Sequence, residues 1–190
     1  MAIVQAALTK ARHLSGVELL KSESLQRLGL AQQADIGLRT QATDGLSTAK
    51  KPSPEGTFDV DRGKIGLVLM SVQPIQLNGK QVGTAIVGTL INRNYDLVDR
   101  LRSETGVTTA TLFAQDWRVS TNVPYADKAT RATGTRVSSA VADEVLKQGK
   151  VFVGDANIIG VDYDGLCPTI RSSTTARSQD GKTDRDCLRG

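Results

Sequence analysis

GVTTATLFAQDWRVSTNVP, residues 106–124, has the clearest strand pattern in the chain and its only tryptophan. Val107, Thr109, Thr111 and Phe113 alternate with Thr108, Ala110, Leu112 and Ala114, a β-branched and apolar run that predicts a strand with at least one buried face. Gln115 and Asp116 interrupt it, and the pattern resumes from Trp117 until Pro124 stops it. The stretch therefore reads as a hairpin. Period two puts Trp117, Val119, Thr121 and Val123 on one face and Arg118, Ser120 and Asn122 on the other. The first face suits a core. The second offers a cation, a hydroxyl and an amide, a set suited to a small carboxylate. Arg136 is expected to join them.

Around this hairpin the other elements fall in order. Val4, Ala7, Leu8, Ala11 and Leu14 lie at helical spacing over Ala2–Leu14, with His13 expected at that helix's C-terminal end, where the dipole favours a cation. Val17, Leu20, Leu25 and Leu28 suggest a second short helix closed by Gly29. From Gly37 to Gly66 the composition turns to Thr, Ser, Lys, Pro and Gly, a long loop. Strands are expected from Ile65 to Pro74 and from Val82 to Gly88, joined at Asn78-Gly79, a pair that readily takes the positive φ angles of a type I′ turn. The glycines of the return strand lack the lysine and hydroxyl of a phosphate loop. A helix over Ile91–Thr105 with Asn92 as cap leads into the central hairpin. Tyr125–Arg136 reads as a polar, flexible connection, Ser138 caps a helix closed by Gly149, and Val151–Tyr163 reads as one more strand.

At 190 residues, with 39% hydrophobic and 23% charged residues, the chain can bury a core, one short of aromatics at 4%. The net charge of +4 comes from Lys and Arg spread along the chain without a block of five, so nucleic acid is not expected as a partner. Cys167 and Cys187 have no metal-ligand spacing with His13, the single histidine. No metal, cofactor or catalytic residue is assigned. The acidic residues are scattered, and neither cysteine has an activating neighbour. No 18-residue apolar run or secretory leader is present to anchor or export the chain as written.

SVQPIQLNGKQVGTAIVG (Ser71–Gly88), INRNYDLVDRLRSETGVTTATLFAQDWRVSTNVP (Ile91–Pro124), ATGTRVSSAVADEVLKQGKVFVG (Ala132–Gly154) and ANIIGVDY (Ala156–Tyr163) together resemble the Cache sensor domains, extracytoplasmic relatives of the PAS fold. The likeness is greatest to the double-Cache sensors of bacterial chemoreceptors and sensor kinases. It implies an α+β fold, a PAS-like module with an antiparallel sheet flanked by helices, preceded by part of a second module. Residues 1–90 would be the incomplete membrane-distal module, 91–163 the membrane-proximal one, and 164–190 an aberrant tail. The implied function is to bind a small molecule, a carboxylate or amino acid, without chemistry. The parent receptor would be a homodimer in the bacterial inner membrane, with this part in the periplasm or outside the cell, and its transmembrane helices lie outside this chain. By the same resemblance Met1 falls inside the distal module, and the chain is a fragment.

The tail, DGLCPTIRSSTTARSQDGKTDRDCLRG, has no sustained period and holds both cysteines. Read one nucleotide out of frame, its available codons permit Thr-Ala-Tyr-Ala-Pro-Leu-Tyr-Asp and Ile-Gly-Thr-Ala-Tyr-Val-Gly, which resemble the closing hairpin of the family. The second nearly repeats Gly83–Gly88, so the expectation is a frameshifted hairpin. Two other readings stand beside the sensor: a non-functional truncated product and a small enzyme of unknown class. Turnover of a substrate, rather than stabilisation by a ligand, would mark the enzyme.

Overall fold

The computed structural model describes residues 1–39 and 61–169. Most of the expected loop and most of the tail, including Cys187, lie outside the described residues. The chain clusters into two units, the first taking in Met1–Glu18 and Met70–Val87, the second Leu19–Leu69 and Gly88–Ile170.

In the first unit, helix α1 (Ala2–Thr9) buries Ile3 and Ala7. The backbone N–H of Ile3, one of the four that a helix start leaves without a partner, donates to Glu18 Oε1 at 2.9 Å. The helix is shorter than its apolar spacing predicts. Ala11 adopts φ +47° just beyond it, and Leu14–Leu20 forms strand β1 where a second helix is expected. His13 is accordingly not at a helix end. It lies in the connection, hydrogen-bonded to Ser71 at 2.8 Å and Ser15 at 3.0 Å. Strands β2 (Gly66–Leu77) and β3 (Lys80–Leu90) meet at Asn78 and Gly79, with φ +52° and +74°, the turn expected from that pair. The sheet runs in the order β1-β2-β3, with Met70 and Val72 in the core and β3 exposed along its edge.

The second unit carries the short helices α2 (Ser22–Arg27) and α3 (Ala31–Ala34) and then α4 (Tyr95–Thr105). The α4 cap is Asn94, whose side chain accepts from the Leu97 N–H at 3.3 Å, and Gly106 ends the helix at φ +75°. Asn92, the expected cap, has another task. It is buried, its Oδ1 accepts from the Leu67 N–H at 2.8 Å, and its Nδ2 donates to the carbonyls of Ala34 at 2.7 Å and Ile65 at 2.8 Å. One amide thus ties α3, the start of β2 and the approach to α4. Each bond satisfies a backbone group that burial would otherwise penalise.

The central hairpin forms from β4 (Thr111–Ala114) and β5 (Trp117–Thr121), later in its first arm than the strand pattern predicts. They pair antiparallel, with Phe113 opposite Arg118 and a bulge between Leu112 and Phe113. The segment after Pro124, expected to be flexible, packs along the other edge of β5. Arg118 N donates to Thr135 O at 2.8 Å, Gly134 N to Arg118 O at 2.9 Å and Val137 N to Asp116 O at 2.9 Å. This makes β5 a central strand, and all five of its residues are buried. The two-faced reading of the hairpin is corrected here, since neither face of β5 meets solvent. Trp117, 4% exposed, belongs to the core.

Helix α5 (Ser139–Ala142) continues into a π-helical turn, Asp143–Lys147, and buries Val141, Ala142 and Val145. Strand β6 (Phe152–Ile158) then pairs antiparallel with β7 (Val161–Cys167). The single strand expected over Val151–Tyr163 is therefore two strands, turned at Ile159 and Gly160 with φ +51° and +77°. Asp164–Cys167, expected to begin the aberrant tail, are the end of β7, paired from Asp155 to Phe152.

Gly134 is the tightest point of the β5 edge. It sits at φ +81°, and a Cβ there would lie 2.2 Å from the carbonyl oxygen of Gly37. Gly134→Ala combines a disfavoured backbone conformation with a clash against backbone, and is expected to cost about 3 kcal/mol or more. Urea denaturation followed by Trp117 fluorescence checks this; a loss under about 1 kcal/mol would mean that the contact yields.

Candidate functional site

The four residues singled out by the strand pattern are all part of the second unit, and three of them are committed to the protein. Helix α4 lies over Ser120 and Asn122. Ser120 donates to the Asn94 carbonyl at 2.8 Å, and Asn122 donates to the Val98 carbonyl at 3.2 Å while accepting from the Ala110 N–H at 2.8 Å. These polar groups dock the helix and hold the chain entering β4. Arg136 binds the carboxylate of Asp116 through both Nε, at 2.8 Å, and Nη2, and its guanidinium stands 5.4 Å from the centre of the Trp117 ring. Asp116 is fully buried and Arg136 nearly so. Asp116, the acid nearest Arg118 in sequence, is therefore paired with a different cation.

Arg118 is the exception. It is 3% exposed, and no Asp or Glu among the described residues forms an ion pair with it. Its Nη1 donates to Thr135 Oγ1, and its guanidinium lies 4.9 Å from the centre of the Phe113 ring. Thr135 Oγ1 in turn donates to the Ala132 carbonyl at 2.7 Å, which turns a hydroxyl lone pair toward the arginine. The Nε of Arg118 has no hydrogen-bond partner. Loss of hydration pushes its pKa down to about 10, and the nearby Cys167 thiol only partly opposes this. Cys167 supplies no counter-charge at neutral pH, because burial pushes its own pKa up by more than Arg118 draws it down.

Asp116 presents the opposite defect. Its Oδ2 takes both bonds from Arg136, while Oδ1 is buried without a donor. A buried polar atom left in this state costs about 1–3 kcal/mol, and each such case in a folded protein calls for a cause. The strand pattern identified Arg118 but not Thr135 or Phe113. Phe113 was readable as the cross-hairpin neighbour of Arg118, whereas Thr135 depends on the return of a polar segment that has no strand signature.

A contrasting ion pair lies at the rim. Arg131 grips Asp99 with two bonds of 2.8 Å and stands 4.5 Å from the centre of the Tyr95 ring. That bond holds the Asp99 carboxyl below the usual aspartate range. Asp99 also lines an open depression at the C-terminal end of α4, with Arg102, Ser103, Gly106, Val107 and Thr108. Among the described residues, no cluster of three or more His, Cys, Asp and Glu side chains could hold a metal ion.

Residues 89–176 match the family described as single Cache domain 3. No curated protein matches the chain. Among solved structures it is similar to the periplasmic domain of Vibrio cholerae LuxQ, at 19% identity over 73% of this chain and 62% of that one, with a TM-score of 0.32. The chain therefore spans less than two thirds of that domain's length.

The uncompensated charge has a measurable consequence. A base whose folded pKa falls to about 10, below its unfolded value, destabilises the fold in full below pH 10, and the penalty fades as pH rises above 10. Arg118→Met keeps the apolar stem and removes the charge. At pH 7 without ligand it is expected to raise stability by about 1–3 kcal/mol, read as a higher denaturation midpoint. A fall of the same size would show that the guanidinium is compensated after all.

Proposed function

We propose that this chain, whose residues 89–176 form a Cache domain, is the ligand-sensing part of an extracytoplasmic bacterial receptor, and that its ligand is a small carboxylate held by Arg118. The observation that carries the reading is the buried guanidinium without an acid. Evolution rarely keeps a charge in the interior without a partner, and a bound carboxylate would supply both the missing counter-ion and an acceptor for Nε. Thr135 and Phe113 position the guanidinium but add no charge, so the site is one cation awaiting one anion. Ser120, Asn122 and Arg136 act behind it, fixing α4 and Asp116 on either side of the strand.

The receptor reading extends this. The parent protein would be a homodimer anchored in the inner membrane, with this domain on the outer side. Ligand binding would change the packing of β5 against α4 through Ser120 and Asn122, which bond the backbone of that helix. No reaction is assigned. The ligand is expected to be recovered unchanged after incubation.

A ligand at 100 times its Kd stabilises the fold by about 2.7 kcal/mol, a rise in melting temperature of roughly 5–10 °C for a domain of this size. A thermal-shift screen against organic acids, amino acids, amines and sugars is expected to find such a rise among carboxylates, and to find it lost in Arg118→Met. Stabilisation only by ligands without an acid, or an undiminished response in Arg118→Met, would contradict the proposal.

A further inference from the structure

Asn78, at the tip of the β2–β3 hairpin, is the only asparagine in the chain that precedes a glycine. The side-chain amide carbon of an asparagine lies within reach of the next residue's backbone nitrogen, and attack there closes a five-membered imide. A following side chain hinders that approach, whereas glycine has none. Asn92, Asn94, Asn122 and Asn157 precede Arg93, Tyr95, Val123 and Ile158, all of them bulky neighbours.

The fold widens this difference. Asn92 is held by bonds to three segments, Asn94 caps α4, and Asn122 bonds Val98 and Ala110. Asn78 and Gly79 are exposed, and Asn78 makes no side-chain hydrogen bond among the described residues. A Cβ on Gly79 would meet nothing within 4 Å. Leu77 and Val82 beside the turn are 62% and 60% exposed, so little packing holds the tip. In a two-residue turn the pairing bonds belong to the flanking strand residues, which leaves the Gly79 N–H outside the ladder. The turn's φ angles of +52° and +74° must relax before the ring can close. An unpacked hairpin tip opens and recloses far faster than the chemistry proceeds, so the folded state is a weak barrier.

We infer that Asn78 is a site of spontaneous covalent modification, converted through a cyclic imide to aspartate and isoaspartate. The Gly79 nitrogen gives up its proton and forms a bond to Asn78 Cγ; the Cγ–Nδ2 bond breaks, and the amide leaves with that proton as ammonia. Water then adds to one of the two imide carbonyls. Breaking the bond from nitrogen to Cγ gives aspartate, and breaking the bond from nitrogen to the main-chain carbonyl carbon gives isoaspartate, whose main chain runs through Cβ and Cγ. Neither step oxidises or reduces anything, and water is the sole co-reactant. Gly66–Leu90 contains one charged residue, Lys80, so either product brings this hairpin its first acid, two positions from that lysine. Aspartate tolerates positive φ and keeps the turn. Isoaspartate adds a main-chain atom to a turn whose two-residue length sets the register of β2 and β3. Because β3 is the edge of its sheet and pairs with β2 alone, that product loosens the hairpin from its tip.

The full chain is incubated for weeks at neutral and at mildly alkaline pH, folded and in urea, and Asn78 is followed by peptide mass spectrometry with fragmentation that separates the two acid isomers. In the folded protein the Asn78 peptide is expected to lose its amide about tenfold or more faster than the other asparagine peptides, and at a rate close to that in urea. The rate is expected to rise at the alkaline pH, where the Gly79 nitrogen gives up its proton more readily. An acidic form separated by ion exchange appears in parallel and is absent from Asn78→Gly, a substitution that the positive φ accommodates. An Asn78 amide that survives in the folded chain while it is lost in urea would show that the turn protects it and would overturn the inference. Earlier conversion at any other asparagine of the folded chain would overturn it as well.

Discussion

The guanidinium of Arg118 is held on the middle strand of its neighbourhood, and almost everything around it follows from the need to bury a backbone on which that charge sits. With β4 on one edge and the segment 131–136 on the other, β5 has its main-chain groups paired on both sides. All five of its residues are buried as well, so its polar side chains must find partners inside the protein. Ser120 and Asn122 find them in the backbone of α4, and Thr121 in the carbonyl of Ala110 and the hydroxyl of Thr111. Arg118 finds one hydroxyl and one aromatic ring, which satisfy its shape more than its charge. On the proposed function, the pull between a well-paired backbone and an ill-paired side chain would exchange stability in the empty state for affinity in the filled one.

The supports of this strand are polar side chains that bond backbone, a choice that fixes position better than apolar contact alone. Asn92 links three segments by three bonds, Asn94 starts α4 where Ser120 can reach it, and Asp127 closes its own turn by accepting from the N–H groups of Ala129 and Thr130. The Thr130 bonds hold the Asp127 carboxyl below its usual range. Arg131 and Asp99 add a partly exposed ion pair that screening by water leaves modest in energy but bidentate in geometry. Strand β5 is suspended between such fixed points.

How far the fold was readable depended on where each residue's information lies. Asn78-Gly79 announces its turn because both residues accept positive φ by their own chemistry. Ile159-Gly160 makes an equivalent turn with a β-branched residue at φ +51°, a conformation that strand pairing imposes against local preference, so the hairpin of β6 and β7 was legible only as one strand. The β1 residues Leu14–Leu20 mimic helical spacing closely enough to mislead, since sheet pairing overrides a weak local preference. Period two put Arg118, Ser120 and Asn122 on one face, whereas the bulge sets Arg118 opposite Phe113 and Ser120 opposite Leu112, residues that alternate across β4. It could not reveal that α4 would cover two of them, nor that Asp116 would choose Arg136, because both outcomes depend on segments that meet β5 from a distance in sequence. The site was legible as a cation on a strand and hidden as a cation without an acid.

The electrostatic state of Arg118 can be observed directly. Nitrogen-15 NMR of the guanidinium, assigned by comparison with Arg118→Met, reports whether Nε–H is hydrogen-bonded and whether the group is shielded from water. A protected Nε–H is expected in the ligand-free domain, with no scalar coupling to a carboxylate, and a downfield shift of that proton when a carboxylate ligand binds. An Nε–H already bonded to a protein carboxylate before any ligand is added, or one unmoved at saturation, would contradict it.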